Sequence, residues 1–274
     1  MLAFSLDLWN KVRLCLLVME SKLSREERQR RILETINQHS VLVSELVKEF
    51  GVSEMTIRRD LSGLEEHGKI LRVHGGAIAS GRLAYESAFE IKQAQNIEAK
   101  KAIGDMAAKL VGPKDVVFID TGTTALAVAR AMRQRSPRIL ITSNLAAALE
   151  FVGSGNIRIL VTGGELSHQS PDLYGEWALQ VVTGIHVDVA FFGCDAVDAN
   201  GFYASDTRSA AVSRLMLSRS QLSYLVADSS KFGSHAMCQV ANHKELTGII
   251  TDSGLAARYR MELETQKVRL ILAE

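Results

Sequence analysis

The chain has 274 residues, 47% of them hydrophobic and 23% charged, which is enough for two domains and a sizeable core. This composition excludes an intrinsically disordered chain, and a formal net charge of +1 excludes a uniformly basic nucleic-acid binder. Three scattered cysteines (Cys15, Cys194 and Cys238) lack metal-ligand spacing and fit a reduced, cytoplasmic protein without a metal site.

Residues 1–21 read as an amino-terminal extension. Lys11 and Arg13 interrupt its apolar positions, so only Leu14 to Met19 run uninterrupted. That is too short for a membrane span, and no small-residue cleavage site follows. Two readings stay open: a translated stretch upstream of a true start at Met19, or a genuine amphipathic extension.

From Arg25 to Gln38 the spacing predicts a helix with Ile32, Leu33 and Ile36 as its apolar stripe. Glu26 and Glu27 in its first turn suit the helix dipole. A second helix carries Leu46, Val47 and Phe50 inward. A tight Gly51-Val52-Ser53 joint leads to a third, for which Ser53 is a natural N-cap. At 3.6 residues per turn Ile57, Leu61 and Leu64 share the inner face. Met55, Arg58, Arg59 and Ser62 fall on the outer one, the composition of a recognition helix in a major groove. Gly68 is the expected C-cap. Leu71 to Ile78 then alternates apolar and basic residues around Gly75-Gly76, the pattern of a strand-turn-strand wing. Arg72 and His74 would reach phosphate or a minor groove, and for His74 a turn-stabilising hydrogen bond is an equal alternative. Residues 22–80 hold ten Lys/Arg and nine Asp/Glu, so the basic footprint must be local. Its candidates are Arg25, Arg28, Arg30, Arg31, Arg58, Arg59, Lys69 and Arg72.

The ordered run V-S-E-M-T-I-R-R-D-L, then G-K-I-L-R-V-H-G-G-A, closely resembles the amino-terminal signature of the DeoR family of bacterial regulators of sugar metabolism. The resemblance implies operator binding by Arg25, Ser53, Met55, Thr56, Arg58, Arg59, Ser62, Arg72, His74 and Gly75.

After Ile78 the composition changes, and residues 79–96 read as a linker between a DNA-binding domain (22–78) and a larger domain (97–274). A helix is expected from Ile97 to Val111. Apolar runs follow at Val116–Ile119, Ile139–Ile141, Ile159–Val161, Val189–Phe192, Tyr224–Ala227, Ile249–Ile250 and Val268–Leu272, with helical stretches between most of them. Continuous apolar strands alternating with helices predict an α/β domain, a parallel-rich sheet with helices on both faces, preceded by the winged helix-turn-helix domain.

Polar residues just past those strands mark a ligand pocket, because open α/β sheets bind ligands at the carboxyl ends of their strands. They are Asp120-Thr121-Gly122-Thr123-Thr124, Ser143-Asn144, Gly164-Glu165, Gly193-Cys194-Asp195 and Asp228 with Lys231. Turn chemistry alone explains about half of such choices. The Asp120–Thr124 loop enters a helix, so its free amides and threonine hydroxyls suit an anion such as a phosphate; a plain threonine N-cap is the alternative. Lys231 would add a positive charge, unless it is simply solvated. Cys194 is either a ligand contact or a small buried hydrophobe.

The runs V-F-I-D-T-G-T-T, I-T-S-N-L, V-T-G-G-E-L, G-C-D-A-V-D-A-N-G-F and L-V-A-D-S-S-K-F-G extend the resemblance to the DeoR effector domain, over roughly Ser24 to Leu272. It implies a fold similar to the ribose-phosphate isomerase and CoA-transferase group and a phosphorylated sugar as effector. The implied effector residues are Asp120, Thr121, Gly122, Thr123, Thr124, Asn144, Gly164, Glu165, Gly193, Asp195, Asp206, Asp228 and Lys231. The chain departs from the family after Asp206, where Arg208 and Ser209 stand in place of glutamates. Arg208 therefore either binds a second anionic group or lies on the helix surface.

The expected function is a transcriptional regulator, a repressor of a carbohydrate-utilisation operon released from double-stranded operator DNA by a phosphorylated sugar. A homo-oligomer, dimer or tetramer, matches symmetric half-sites. No cofactor, catalytic residue, metal or membrane partner is expected. The alternative is a sugar-phosphate isomerase or CoA-transferase-like enzyme fused to a DNA-binding domain, with Asp120, Asp195, Glu165 and Lys231 supplying acid-base groups.

Overall fold

The computed structural model describes residues 23–73, 75–79, 84–135, 137–154, 157–168 and 170–274. The amino-terminal extension with Cys15 and Met19, His74, and the Ser80-Gly81 pair lie outside the described residues. The chain divides into two compact units between Ile91 and Lys92.

In the first unit α1 (Arg25–Gln38) starts at Ser24, whose hydroxyl accepts a hydrogen bond from the Glu27 amide at 3.1 Å. Its Ile32 and Ile36 are buried. Helix α2 (Val43–Phe50) stops at Gly51, which takes the left-handed conformation (φ +62°) that a side chain would resist. Helix α3 (Glu54–Glu66) opens at Ser53, where the hydroxyl accepts from the Thr56 amide at 3.2 Å. Ile57, Leu61 and Leu64 face inward, at i, i+4 and i+7, and close a core with Ile32, Ile36, Leu46 and Ile70. The wing is β2 (Ile70–Val73) paired antiparallel with β3 (Gly76–Ala79), and β1 (Val41–Leu42) adds to the outer side of β3. Gly75 has φ +82°. Gly76 answers a different need: a Cβ there would meet the Val41 carbonyl oxygen at 2.3 Å, so β1 can close on β3 only against glycine.

The stretch after Ala79 holds a helix, α4 (Ala84–Ala94), where no periodic pattern was legible. Its buried Phe89 and Ile91 are two residues apart, a spacing that writes no helical stripe. Helix α5 (Ile97–Ala108) ends three residues short of the expected Val111, because the chain tightens into i→i+3 bonds from Leu110 to Ala107 and from Val111 to Ala108.

The second unit is built on seven strands: β4 (Val116–Ile119), β5 (Ile139–Thr142), β6 (Arg158–Val161), β9 (Val187–Phe192), β12 (Ser220–Val226), β14 (Gly248–Asp252) and β15 (Leu270–Ala273). They stand in the order β15-β14-β12-β9-β4-β5-β6, and every pairing is parallel. Each expected apolar run falls on one of them, although Tyr224–Ala227 ends one residue past β12 and Val268–Leu272 begins two residues before β15. Successive strand residues point to opposite faces, yet Val117, Phe118 and Ile119 are all fully buried, so both faces of the sheet are covered. Helix α6 (Thr123–Met132) packs close to α5: a Cβ on Gly104 would meet the Ala127 carbonyl oxygen at 2.5 Å.

Elements not anticipated are α7 (Leu145–Leu149), the hairpin β7 (Glu165–Leu166) with β8 (Leu173–Tyr174), and a small antiparallel sheet of β10 (Ala196–Val197), β11 (Phe202–Ala204) and β13 (Cys238–Ala241). Helices α8 (Glu176–Thr183), α9 (Thr207–Ser218) and α10 (Ala257–Thr265) complete the unit. From β4 the chain runs outward through β5 and β6, then returns to the opposite side of β4 with β9 and continues to β12, β14 and β15. The order reverses between β4 and β9, so the crevice of this sheet lies past those two strands.

Candidate functional site

The outer face of α3 presents Met55, Arg58 and Arg59, all exposed, with Met55 at 68%. Arg58 is not free: its guanidinium bonds Glu54 Oε1 from Nε at 2.8 Å and Nη2 at 2.6 Å. Arg59 has no hydrogen bond or ion pair with any described residue. Arg72 reaches from the wing to α3, where Nη1 donates to Ser62 Oγ at 3.0 Å, and its own amide donates to Glu65 at 3.1 Å. Thr56 is half-buried and its hydroxyl shares a 2.9 Å bond with Ser53.

One residue of the expected basic footprint is not part of it. Arg28 is buried and donates from Nε to Asp60 Oδ2 at 2.5 Å, so its charge is consumed inside the unit. The spacing of α1 put it beside exposed arginines, but the carboxylate that claims it comes from α3, which no local pattern reveals. Arg25 stands at the rim, its Nε 3.6 Å from the other Asp60 oxygen, and stays 57% exposed. Arg30 and Arg31 pair on the surface with Glu27, and Arg30 also with Glu34.

In the second unit Asp120 ends β4, fully buried. Its Oδ2 accepts from Ser213 Oγ at 2.8 Å, while Oδ1 has no partner of hydrogen-bond geometry among the described residues. Burial pushes its carboxyl up to about 7; the Thr121 amide and the Ser213 hydroxyl hold it from rising further. Gly122, at φ +92°, turns the chain into α6, whose first turn has no side-chain cap. The first-turn amides are therefore not taken by a capping side chain, at the strand end where the sheet order reverses. Thr121 Oγ1 lies 3.5 Å from Ser209 Oγ at the start of α9. A Cβ on Gly193 would meet the Thr121 carbonyl oxygen at 2.4 Å, so glycine there lets β9 lie against the loop.

Asp195 follows β9. It accepts from the Ser205 amide at 2.9 Å and pairs with Lys92 Nζ at 3.2 Å. Burial alone would raise its carboxyl, but Lys92 and the Ser205 contacts outweigh that and hold it below the usual carboxylate range. Asp228, past β12, accepts from Asn96 Nδ2 at 3.0 Å and the Ser230 amide at 3.1 Å. Lys231 sits one short helical turn on, and its ammonium has no hydrogen bond or ion pair with a described residue.

Asn144 is fully buried and its amide is spent: Oδ1 caps α7 by accepting from Ala147, and Nδ2 donates to Asp172 Oδ1 at 2.7 Å. It thereby positions Asp172, whose carboxyl is raised by burial. Gly164, just before β7, lies against β8, where a Cβ would strike the Tyr174 carbonyl oxygen. Glu165 is exposed, with Arg208 Nη1 at 3.7 Å. Asp206 caps α9, accepting from the Arg208 amide at 2.7 Å, and binds the Arg208 guanidinium at 2.8 Å. Arg208 also lies 4.0 Å over the Tyr174 ring. Cys194 packs against the core as a small hydrophobe, and burial raises its thiol.

Sequence reasoning passed over Lys92, Asn96, Lys100, Asp172 and Ser213. The first three lie between or within α4 and α5, away from any strand end. Lys100 is buried, donating to the Lys92 and Gln95 carbonyls, and burial lowers it to about 8. Ser213 could have been found, because its i, i+4 spacing from Ser209 puts both hydroxyls on one face of α9. Among the described residues no cluster of His, Cys, Asp and Glu could hold a metal ion, and no helix is long and apolar enough to cross a membrane.

A helix-turn-helix unit with an arginine-bearing outer face, followed by a sheet with polar strand ends at its topological switch point, defines a ligand-responsive DNA-binding regulator. Comparison with known proteins agrees. Residues 95–253 match the DeoR C-terminal sensor domain and residues 28–81 the DeoR-like helix-turn-helix domain. The chain belongs to the DeoR family. It is 36% identical to an uncharacterised HTH-type transcriptional regulator of Bacillus subtilis, over 89% of this chain and 95% of that protein. It is 33% identical to a putative aga operon transcriptional repressor of Escherichia coli, over 90% and 93%. With the glycerol-3-phosphate regulon repressor of Escherichia coli it shares 32% identity over 84% and 92%. These relatives are regulators, and this chain is a transcriptional regulator rather than an enzyme. Ribose 5-phosphate isomerase A of Methanocaldococcus jannaschii is a remote structural neighbour, 18% identical, covering 50% of this chain and 55% of that one with a TM-score of 0.37.

Proposed function

We propose that the chain represses a carbohydrate-utilisation operon and leaves operator DNA when a phosphorylated sugar binds its sensor domain. Residues 22–78 read the operator with the outer face of α3 and the wing; Arg59 and Arg58 are its principal base-reading groups and Arg72 its phosphate contact. Residues 97–274 hold the effector past β4 and β9. The observation that carries this reading is the Asp120–Thr124 loop. Its helix-start amides have no capping side chain, and its two threonine hydroxyls accompany an Asp120 oxygen that is buried and lacks a hydrogen-bond partner among the described residues, which supports an anion-binding reading. Lys231 supplies a cation past strand β12 that has no partner among the described residues. The names of two relatives, a glycerol-3-phosphate regulon repressor and an aga operon repressor, support the substrate class.

Release follows from differential affinity: a sugar phosphate that binds better to the DNA-free arrangement moves the population by that difference. A homodimer or tetramer is part of the proposal, since one short recognition helix reads few base pairs.

The test is a gel shift on DNA flanking the protein's own gene, at one fixed near-physiological salt concentration because affinity falls steeply with salt. Glycerol 3-phosphate, hexose phosphates and their unphosphorylated parents are added in turn. Specific binding released by one phosphorylated sugar and not by its parent is expected. Specific binding that no phosphorylated sugar releases would remove the effector assignment and leave the DNA assignment standing.

A further inference from the structure

Lys92 stands where the sugar-phosphate reading needs a second cation, and its contacts are unusual for a surface lysine. Its side chain is 52% exposed, and the ammonium lies 3.2 Å from Asp195 Oδ1 past β9. Its backbone carbonyl accepts from Thr123 Oγ1 at 3.5 Å and from the buried Lys100 ammonium. The main chain of residue 92 is thus tied to the first turn of α6, and its side chain to the carboxylate on the adjoining strand. The positive charge of Lys92 helps hold Asp195 low and, in small part, opposes the burial that raises Asp172. The Thr123 contact of its carbonyl and the Asp195 contact of its ammonium put Lys92 beside the Asp120–Thr124 loop.

Resting on that reading of the site, we propose that Lys92 is an effector-binding residue held in reserve by Asp195. An anionic group seated on the α6 amides draws the ammonium away from Asp195, and Asp195 is then free to accept from an effector hydroxyl. Asp195 in this scheme is a competitor for the cation. A carboxylate left unpaired near an empty anion site would attract cations and repel the effector; the Lys92 pair keeps the site closer to neutral until the anion arrives. The half-exposed side chain can make this exchange because only its ammonium moves, while Lys100 and Thr123 hold its backbone.

The experiment is calorimetric titration of the full chain with inorganic phosphate, against a chloride control of equal ionic strength. The proteins are wild type, Lys92→Met, Lys92→Arg, Asp195→Asn, the Lys92→Met/Asp195→Asn double variant and Thr123→Ala, each checked for native circular dichroism. A lost charge-assisted contact predicts that Lys92→Met weakens phosphate binding about tenfold, while Lys92→Arg largely restores it. Asp195→Asn strengthens binding severalfold, and this gain disappears in the double variant because there is no cation left to release. Phosphate binding that Thr123→Ala weakens and Lys92→Met leaves unchanged overturns the Lys92 assignment alone. An undiminished gain from Asp195→Asn in the Lys92→Met background overturns the competition. Wild-type protein that binds phosphate no better than chloride overturns the phosphate site and this inference with it.

Discussion

Each unit buries an aspartate, and the two are treated in opposite ways. Asp60 in the first unit is 1% exposed and its two oxygens face Arg28 and Arg25. Asp120 in the second is also 1% exposed, but among the described residues one oxygen meets the Ser213 hydroxyl and the other meets nothing of hydrogen-bonding geometry. A buried carboxylate with its arginine is a structural pin: it ties α1 to α3 and fixes how the recognition helix is carried. A buried carboxylate short of partners carries a standing cost that something else must justify, and here it sits where the sheet order reverses. Burial alone does not separate a site from a scaffold; the count of partners does.

Variants at these two positions should diverge. Asp60→Ala leaves the Arg28 guanidinium buried without its counter-ion and should cost about 3–5 kcal/mol, measured by urea unfolding of the DNA-binding unit within the full chain. A loss no larger than that of an exposed pair would mean Arg28 finds other partners.

Asp120→Asn should act through pH. A carboxyl raised from 3.8 to about 7 binds more protons folded than unfolded between those values. Its stabilising share is therefore full below about 4 and is lost as pH rises through about 7. Relative to wild type, the asparagine variant should gain on the order of 2 kcal/mol between pH 5 and pH 8. An unfolding difference that is equal at the two pH values would return Asp120 to an ordinary carboxylate.

On the DNA face the contrast is between free and engaged arginines. Arg59→Ala should lower specific operator affinity by roughly tenfold at fixed salt, with unfolding unchanged, as for loss of one base-reading guanidinium. Wild-type affinity in that variant would mean the outer face of α3 does not enter a groove. The smallest effect is expected at Arg30, whose partners Glu27 and Glu34 are themselves partly solvated. Arg30→Ala should leave both the melting midpoint and operator affinity within experimental scatter.

Much of this was legible in the chain. The Gly51-Val52-Ser53 joint and the stripe of Ile57, Leu61 and Leu64 are local signals, and local signals placed α3 and its outer face correctly. The seven apolar runs likewise marked seven parallel strands, because strands covered on both faces need no alternation. What was not legible depends on partners distant in sequence. Arg28 reads like its neighbours until Asp60 arrives from 32 residues away. Lys92 lies in a stretch without periodicity, and Asp195, the group that gives it meaning, is 103 residues on. Asn144 was read as a ligand group but is consumed by a helix cap and by Asp172, itself unmarked by any motif.

The central claim is that the Thr123 and Lys231 side chains read an effector without touching the DNA face. Fluorescence anisotropy of a labelled operator duplex, at one salt concentration, tests it with the Thr123→Ala/Lys231→Ala double variant. The probe is the sugar phosphate that releases the wild-type protein. The variant should bind the operator like wild type when no sugar phosphate is present, and should stay bound at concentrations that release wild type. Release at the same concentration as wild type would contradict the claim.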